Sequence, residues 1–192
     1  MATMKAVQLD EPGPPEVLQI RDLPMPAPPA GWVRIRVEAF GLNRSELHLR
    51  LGYVTNATFR RVPGIECAGT IDDPNGTSFR AGQKVVAMMG GMGRQFDGGY
   101  AEFVIVPAPQ AIPIETNLPW ETVGAVPEML QTAYGSLITG LWGPYVQTEG
   151  LRRSESRSHH DHERPEDAPF CAKSVDHRTC VPTLLPVFSC YW

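Results

Sequence analysis

The stretch Trp-Val-Arg-Ile-Arg-Val-Glu, residues 32–38, is the clearest strand signal in the chain. Val33, Ile35 and Val37 alternate with charged residues, the period of two expected of a strand with one buried face and one solvated face. Similar short apolar runs lie on both sides of it, separated by turn residues. We therefore predict a mainly β (α+β) protein, a barrel or sandwich of several short strands.

The other predicted elements are short as well. Residues 6–9 and 17–21 flank a Glu-Pro-Gly-Pro-Pro turn and form two strands. A helix is predicted over 43–51, capped by Asn43 or Ser45 and ended by Gly52. Two more helices, broken near Pro127, are predicted over 120–141. The remaining predicted strands are 65–71, 84–89 and 100–106.

The composition changes abruptly near residue 142. Nearly all of the 18 glycines and every apolar alternation precede this point, whereas residues 143–192 carry four of the five histidines and three of the four cysteines. This His/Cys/Arg-rich stretch has no helical or strand period. It cannot bury enough apolar surface to offset its chain entropy, so we predict a folded domain over 1–142 and a disordered tail over 143–192.

Charge and cysteine content exclude several classes of partner. The chain has 17 Lys plus Arg against 21 Asp plus Glu, a formal charge of −4, which argues against nucleic-acid binding. No apolar run is long enough to span a bilayer, and no secretory signal precedes the fold, so we expect a cytoplasmic protein without membrane contact. The four cysteines match neither a disulfide framework nor a CxxC metal knuckle.

The glycine-rich piece Gly90-Gly91-Met92-Gly93 invites comparison with a dinucleotide fingerprint. The GxGxxG pattern needs a third glycine where Phe96 stands, and it needs a helix to follow, whereas this stretch leads into another predicted strand. We therefore interpret residues 90–99 as a loop.

Four segments, taken in order, carry a family resemblance: GLNRSELHLRLG (41–52), PGIECAGTI (63–71), AGQKVVAMM (81–89) and DGGYAEFVIVP (97–107). Their order and spacing resemble the GroES-like N-terminal domain of the medium-chain dehydrogenase/reductase superfamily, within it a zinc-independent quinone oxidoreductase or alcohol-dehydrogenase-like enzyme. The resemblance implies a partly open β-barrel with short peripheral helices. It also implies NADPH-dependent hydride transfer to a small-molecule quinone or enone.

The family continues with a doubly wound cofactor domain, and the resemblance stops near residue 141. We expect this chain to be a fragment that lacks that domain, binds no NADPH alone and is inactive alone. The alternative is a non-catalytic interaction module that pairs with a full-length paralogue, a second copy or another partner through apolar surface.

Zinc is not expected. In zinc-dependent members of the family a Cys stands at the position of Asn43 and a His at that of Ile65, and this chain has neither ligand. Glu66 keeps its family position, but one carboxylate cannot hold Zn²⁺. We therefore expect Glu66 to be a structural hydrogen-bonding group.

The resemblance also gives the candidate site residues. By position, Asn43 and Thr132 would face nicotinamide and substrate, with His48 and Tyr53 nearby in the cleft. Asn43 and Tyr53 are the candidate catalytic residues, Tyr53 as the group that polarises a carbonyl. Helix capping is an equal alternative for Asn43. For His48 the alternative is a solvated position on the helix surface.

Overall fold

The computed structural model describes residues 2–55 and 57–141, with side chains up to 138. The first compact unit ends at Tyr134, and the π-helical segment Gly135–Leu141 belongs to the next unit. The predicted boundary at 142 and the predicted tail lie outside the described residues. The strands are β1 (Thr3–Leu9), β2 (Leu18–Pro24), β3 (Trp32–Ala39), β4 (Glu66–Asp73), β5 (Lys84–Met88), β6 (Phe103–Pro107) and β7 (Ala111–Pro113), and the helices are α1 (Arg44–Arg50), α2 (Trp120–Val123) and α3 (Pro127–Tyr134).

Two antiparallel sheets make up the first unit. β1 and β2 form a hairpin, and the larger sheet has the order β6-β3-β4-β5-β7. β6 and β7 lie at opposite ends of that order, so the curled sheet is a partly open barrel with short helices around it. The mainly β fold class is confirmed.

The core lies on one face of the larger sheet. The alternation in β3 buries Val33 and Ile35 completely and leaves Arg34 on the other face, where its Nε donates to Asp72 at 2.6 Å. The apolar side chains of neighbouring strands meet those of β3, so pattern and packing agree. The main core cluster consists of Val33, Ile35, Cys67, Ile71, Val85, Ala87, Met92, Val104, Val106 and Ala111.

Three details of the predicted elements were wrong or missing. The strand predicted from residue 100 begins at Phe103, because the amides of Gly98, Gly99 and Tyr100 donate to the loop carbonyls of residues 62–64 instead of a strand neighbour. The strand β7 was missed, since three residues are too short for an alternation to be recognised. Residues 15–17 and 108–110 form 3-10 turns that the sequence pattern did not predict.

The helix α1 agrees with its prediction. Asn43 occupies the N-cap position with an extended backbone, and Gly52, with a φ of +76°, follows the last turn. Glycine adopts this left-handed conformation without the steric cost that a β-carbon would add. Ser45, the other candidate cap, lies inside the helix. Within the described residues, no helix is both long and apolar enough to cross a membrane.

Candidate functional site

Asn43 and Glu66 form the centre of the candidate site. The Asn43 side-chain amide Nδ2 donates to Glu66 Oε1 at 2.7 Å, and Glu66 is only 2% exposed at the start of β4. A carboxylate at such depth needs donors to offset its lost hydration. The expectation that Glu66 acts as a hydrogen-bonding group is therefore met by a direct contact to a predicted site residue.

The second oxygen of Glu66 connects the site to α3. Glu128 N, in the first turn of α3, donates to Glu66 Oε2 at 2.8 Å. The first amides of a helix have no partner within the helix, and a carboxylate is well placed to accept from them. One turn later, Thr132 Oγ1 donates to Glu128 Oε1 at 2.7 Å. Hydrogen bonds thus link Asn43 to Thr132, although the two residues are far apart in the sequence.

A second buried carboxylate supports Asn43 from within α1. The backbone N–H of Asn43 donates to Glu46 Oε2 at 2.9 Å, and Ile65 N donates to Glu46 Oε1 at 2.8 Å. Glu46 is three residues after the N-cap, the position from which an acidic side chain reaches back to the cap in a capping box. Asn43 therefore occupies the N-cap of α1, and its side-chain amide is bonded to Glu66; its role toward a substrate stays a prediction.

Burial dominates the electrostatics of these carboxyl groups. It raises the pKa of Glu46, and the neighbouring Glu66 carboxylate adds to the effect, against the lowering by backbone hydrogen bonds. It also raises the pKa of Glu128, where the Thr132 hydroxyl and Arg94 act in the opposite direction and Glu66 in the same one. Burial likewise raises the pKa of Tyr100, which lies near the same carboxylates. Glu46 and Glu128 therefore favour the protonated form more than they would on a solvated surface.

His48 and Tyr53 form a separate pair. Their ring centroids are 5.9 Å apart with a tilt of 52°, and Tyr53 N donates to His48 O at 2.9 Å. Tyr53 is 70% exposed, whereas His48 is partly buried on α1. Among the described residues, no hydrogen bond or ring contact joins this pair to Asn43 or Thr132.

The sequence prediction missed three residues that form hydrogen bonds in or beside the candidate site. Glu46 and Glu128 had recognisable signals, because one is three residues after a predicted N-cap and the other follows the proline that opens a helix. Arg94 had none: its Nη2 donates to Ser45 Oγ at 2.6 Å only because the glycine-rich loop folds back onto α1. Such a contact depends on tertiary structure alone.

Within residues 2–55 and 57–141, no three His, Cys, Asp or Glu side chains converge as a metal-ligand set. Ile65, at the position of a histidine ligand in zinc-dependent relatives, is a buried apolar side chain. With Asn43 and Ile65 in place of a thiol and an imidazole, these two positions do not supply the ligands of that type of zinc centre.

The glycine-rich loop does not have the geometry of a dinucleotide cradle. The glycine-rich stretch forms a loop between β5 and β6, as predicted, and its amides turn inward. Met92 N donates to Met89 O, and Arg94 N and Gln95 N donate to Gly91 O. No helix follows to present free amides to a pyrophosphate. These residues therefore do not fit the phosphate part of a nicotinamide cofactor.

Comparison with known proteins identifies the fold family. Residues 29–116 match the alcohol dehydrogenase GroES-like domain. The matched region is a GroES-like domain of the kind found in the medium-chain dehydrogenase/reductase superfamily. The family resemblance predicted from the four sequence segments is therefore confirmed. The family's members include quinone oxidoreductases and alcohol-dehydrogenase-like proteins.

Curated relatives are similar over about seven tenths of the chain. The chain is 32% identical to human quinone oxidoreductase over 139 residues, which is 70% of this chain and 41% of that protein. It is 29% identical over 140 residues to a zinc-type alcohol dehydrogenase-like protein of Schizosaccharomyces pombe, which is 71% of this chain and 42% of that protein. The chain spans about two fifths of the length of these relatives.

Solved structures of related proteins share this fold. The human synaptic vesicle membrane protein VAT-1 homolog-like protein superposes with a TM-score of 0.66 at 28% identity, covering 72% of this chain and 44% of that one. The quinone oxidoreductase from Coxiella burnetii superposes with a TM-score of 0.66 at 26% identity, covering 72% and 45%. Both matches involve the N-terminal GroES-like fold described above.

Proposed function

We propose that the chain forms the substrate-contacting surface of an NADPH-dependent oxidoreductase that reduces a quinone or enone. We call this surface, which includes Asn43, Tyr53 and Thr132, the substrate wall. The observation that carries the proposal is the hydrogen-bonded line from Asn43 through Glu66 and Glu128 to Thr132. It joins two residues that the family resemblance places at the cleft, and the relatives named quinone oxidoreductase support the substrate class.

The polar groups of the site suit a ligand with a carbonyl oxygen. One N–H of the Asn43 amide is committed to Glu66, and an amide nitrogen carries two. Thr132 is exposed and bears a hydroxyl, and exposed Tyr53 offers a second donor close to α1. When bound, a reduced nicotinamide would supply the hydride, and this chain's residues would bind and orient the acceptor.

Because the glycine-rich loop does not fit a dinucleotide phosphate, we further propose that catalysis needs a cofactor domain in addition to residues 2–141. In the purified chain we expect no saturable NADPH binding and no quinone turnover. A quinone alone should still perturb the NMR amide signals of Asn43, Tyr53 and Thr132. The probe is duroquinone, whose four methyl groups block the addition of cysteine thiols.

The outcomes separate the two parts of the proposal. Turnover with NADPH in the isolated chain would support the oxidoreductase and overturn the need for a further domain. Duroquinone that perturbs none of the three residues would overturn the substrate wall. The matched control is Thr122→Val, an exposed threonine on α2, compared with Thr132→Val at the site. Only the latter should reduce the perturbation.

Exposed apolar side chains favour a second candidate, the non-catalytic interaction module. Leu42 is 81% exposed, and Met129 and Leu130 on α3 are 63% and 58% exposed. Such side chains lower their free energy by contacting a partner. Self-association measured by light scattering, and lost in Met129→Glu, would support pairing with a second copy. A monomer at every concentration would exclude that form of it.

A further inference from the structure

The Thr132 hydroxyl is the surface end of a hydrogen bond to the carboxyl group of Glu128, a partly buried residue. Thr132 and Glu128 lie four residues apart on α3, so the helix itself keeps the two side chains adjacent. The bond from Thr132 Oγ1 to Glu128 Oε1 is 2.7 Å long. Thr132 is exposed, whereas Glu128 is partly buried. A protonation change at Glu128 is therefore transmitted directly to a surface hydroxyl.

Glu128 is poorly placed to carry a negative charge. Its Oε2 atom is buried and accepts no hydrogen bond in the described part of the chain. The charged groups that face it are Glu66 on β4, which disfavours ionisation, and Arg94 in the β5–β6 loop, which favours it. An oxygen without a donor costs less free energy as part of a neutral carboxylic acid than as part of a carboxylate.

The protonation state of Glu128 determines the direction of this hydrogen bond. An ionised carboxylate only accepts, so the single hydroxyl proton of Thr132 is then committed to Glu128. A carboxylic acid protonated at Oε1 donates to Thr132 Oγ1, and the Thr132 proton becomes available at the surface. We propose that Thr132 and Glu128 form a proton-gated hydrogen-bond donor that recognises a carbonyl oxygen.

The gate distinguishes a carbonyl ligand from its reduced form. A quinone or enone oxygen only accepts hydrogen bonds, so it needs the released Thr132 proton. A ligand hydroxyl can donate to Thr132 Oγ1 while Thr132 still donates its own hydrogen bond to the ionised Glu128. Protonation of Glu128 thus favours the carbonyl form at this position, and ionisation favours the hydroxyl form. The inference rests on the proposed function, because it takes Thr132 as a residue of the substrate wall.

The test is an NMR titration of the full chain with duroquinone between pH 4.5 and 8, together with the carboxyl ¹³C signal of Glu128. The apparent Kd should rise roughly three- to tenfold on ionisation of Glu128, the effect of about one hydrogen bond. The Kd and the Glu128 signal should change with the same midpoint. Thr132→Ser should retain the pH dependence, Thr132→Val should abolish it, and Thr122→Val should leave it unchanged.

Failure of the gate is distinguishable from failure of the proposed function. Duroquinone binding that is independent of pH in the wild type, or equally pH-dependent in Thr132→Val, would overturn the gate and leave the substrate wall intact. Absence of binding at every pH would overturn the substrate wall, and the gate with it. In Glu128→Gln the amide nitrogen can donate to Thr132 permanently, so we expect tight binding at all pH values.

Discussion

A β-carbon on Gly41 would lie 2.1 Å from Glu66 Oε1. This is closer than two non-bonded atoms approach, and the carbonyl oxygen of Gly124 would be 3.3 Å away on another side. The glycine just before α1 thus leaves the space in which the Glu66 carboxylate accepts from Asn43. The absence of a side chain at 41 is therefore part of the site's geometry.

Gly41→Ala should displace Glu66 and break its bond to Asn43. We expect a loss of about 1–3 kcal/mol in the free energy of unfolding, together with a shift of the Asn43 side-chain NMR signals. Gly69→Ala, whose β-carbon would lie 2.0 Å from the backbone oxygen of Arg36, is the comparison. It should destabilise the fold without moving the Asn43 signals selectively. An unchanged Asn43 signal in Gly41→Ala would contradict the prediction.

Glu66→Gln tests the two hydrogen bonds of the buried carboxylate separately from any clash. Glutamine keeps one acceptor oxygen and puts an NH₂ group against either Asn43 Nδ2 or Glu128 N, both of which are donors. We expect a loss of about 1–3 kcal/mol in chemical denaturation. The control Glu121→Gln, at an exposed position on α2, should change stability by less than about 0.5 kcal/mol. Equal effects of the two substitutions would count against a structural role for Glu66.

The sequence predicted the strands best where burial is one-sided. The alternation through Val33 and Ile35 exists because one face of β3 meets the core, so local pattern and tertiary position carry the same information. The short β7 and the late start of β6 could not be predicted, because loop carbonyls that are distant in the sequence determine where the pairing begins.

The candidate site was only partly predictable for the same reason. Resemblance placed Asn43 and Thr132 at one cleft, and the structure connects them through Glu66. The burial of Glu128 and the contact of Arg94 with Ser45 depend on how α3 and the glycine-rich loop pack, and neither leaves a local pattern. Buried polar networks of this kind become visible only when their partners are placed in three dimensions.

The pH dependence of stability should report on Glu46. Its pKa in the folded protein is raised above the ordinary value of 4.5, chiefly by burial. The folded state therefore holds this proton more tightly than the unfolded state does. The stabilisation is fully present below pH 4.5 and is lost as the pH rises through the folded pKa. Glu128 contributes with the same sign.

Glu46→Gln removes this titration. It should lower stability at every pH, since Gln has only one oxygen to accept from Asn43 N and Ile65 N. The difference between wild type and variant should nevertheless shrink as the pH rises above 4.5. Urea denaturation at several pH values between 4.5 and 7.5, with Glu121→Gln as the control, measures that difference. A constant difference across the range would show that Glu46 has no raised pKa.

Cys67 should be chemically inert in the folded protein. It is completely buried in the main core cluster, and burial, with the nearby Glu66 carboxylate, raises the pKa of its thiol to about 12. At pH 8 only about one thiol in ten thousand is then ionised, and the thiolate is the reactive form. Iodoacetamide should therefore leave Cys67 unlabelled in native buffer and label it in urea, as followed by peptide mass spectrometry. Ser78→Cys, which introduces a thiol at an exposed loop position, should be labelled in both conditions. Labelling of Cys67 in native buffer at a rate close to that of the introduced thiol would mean that β4 opens readily.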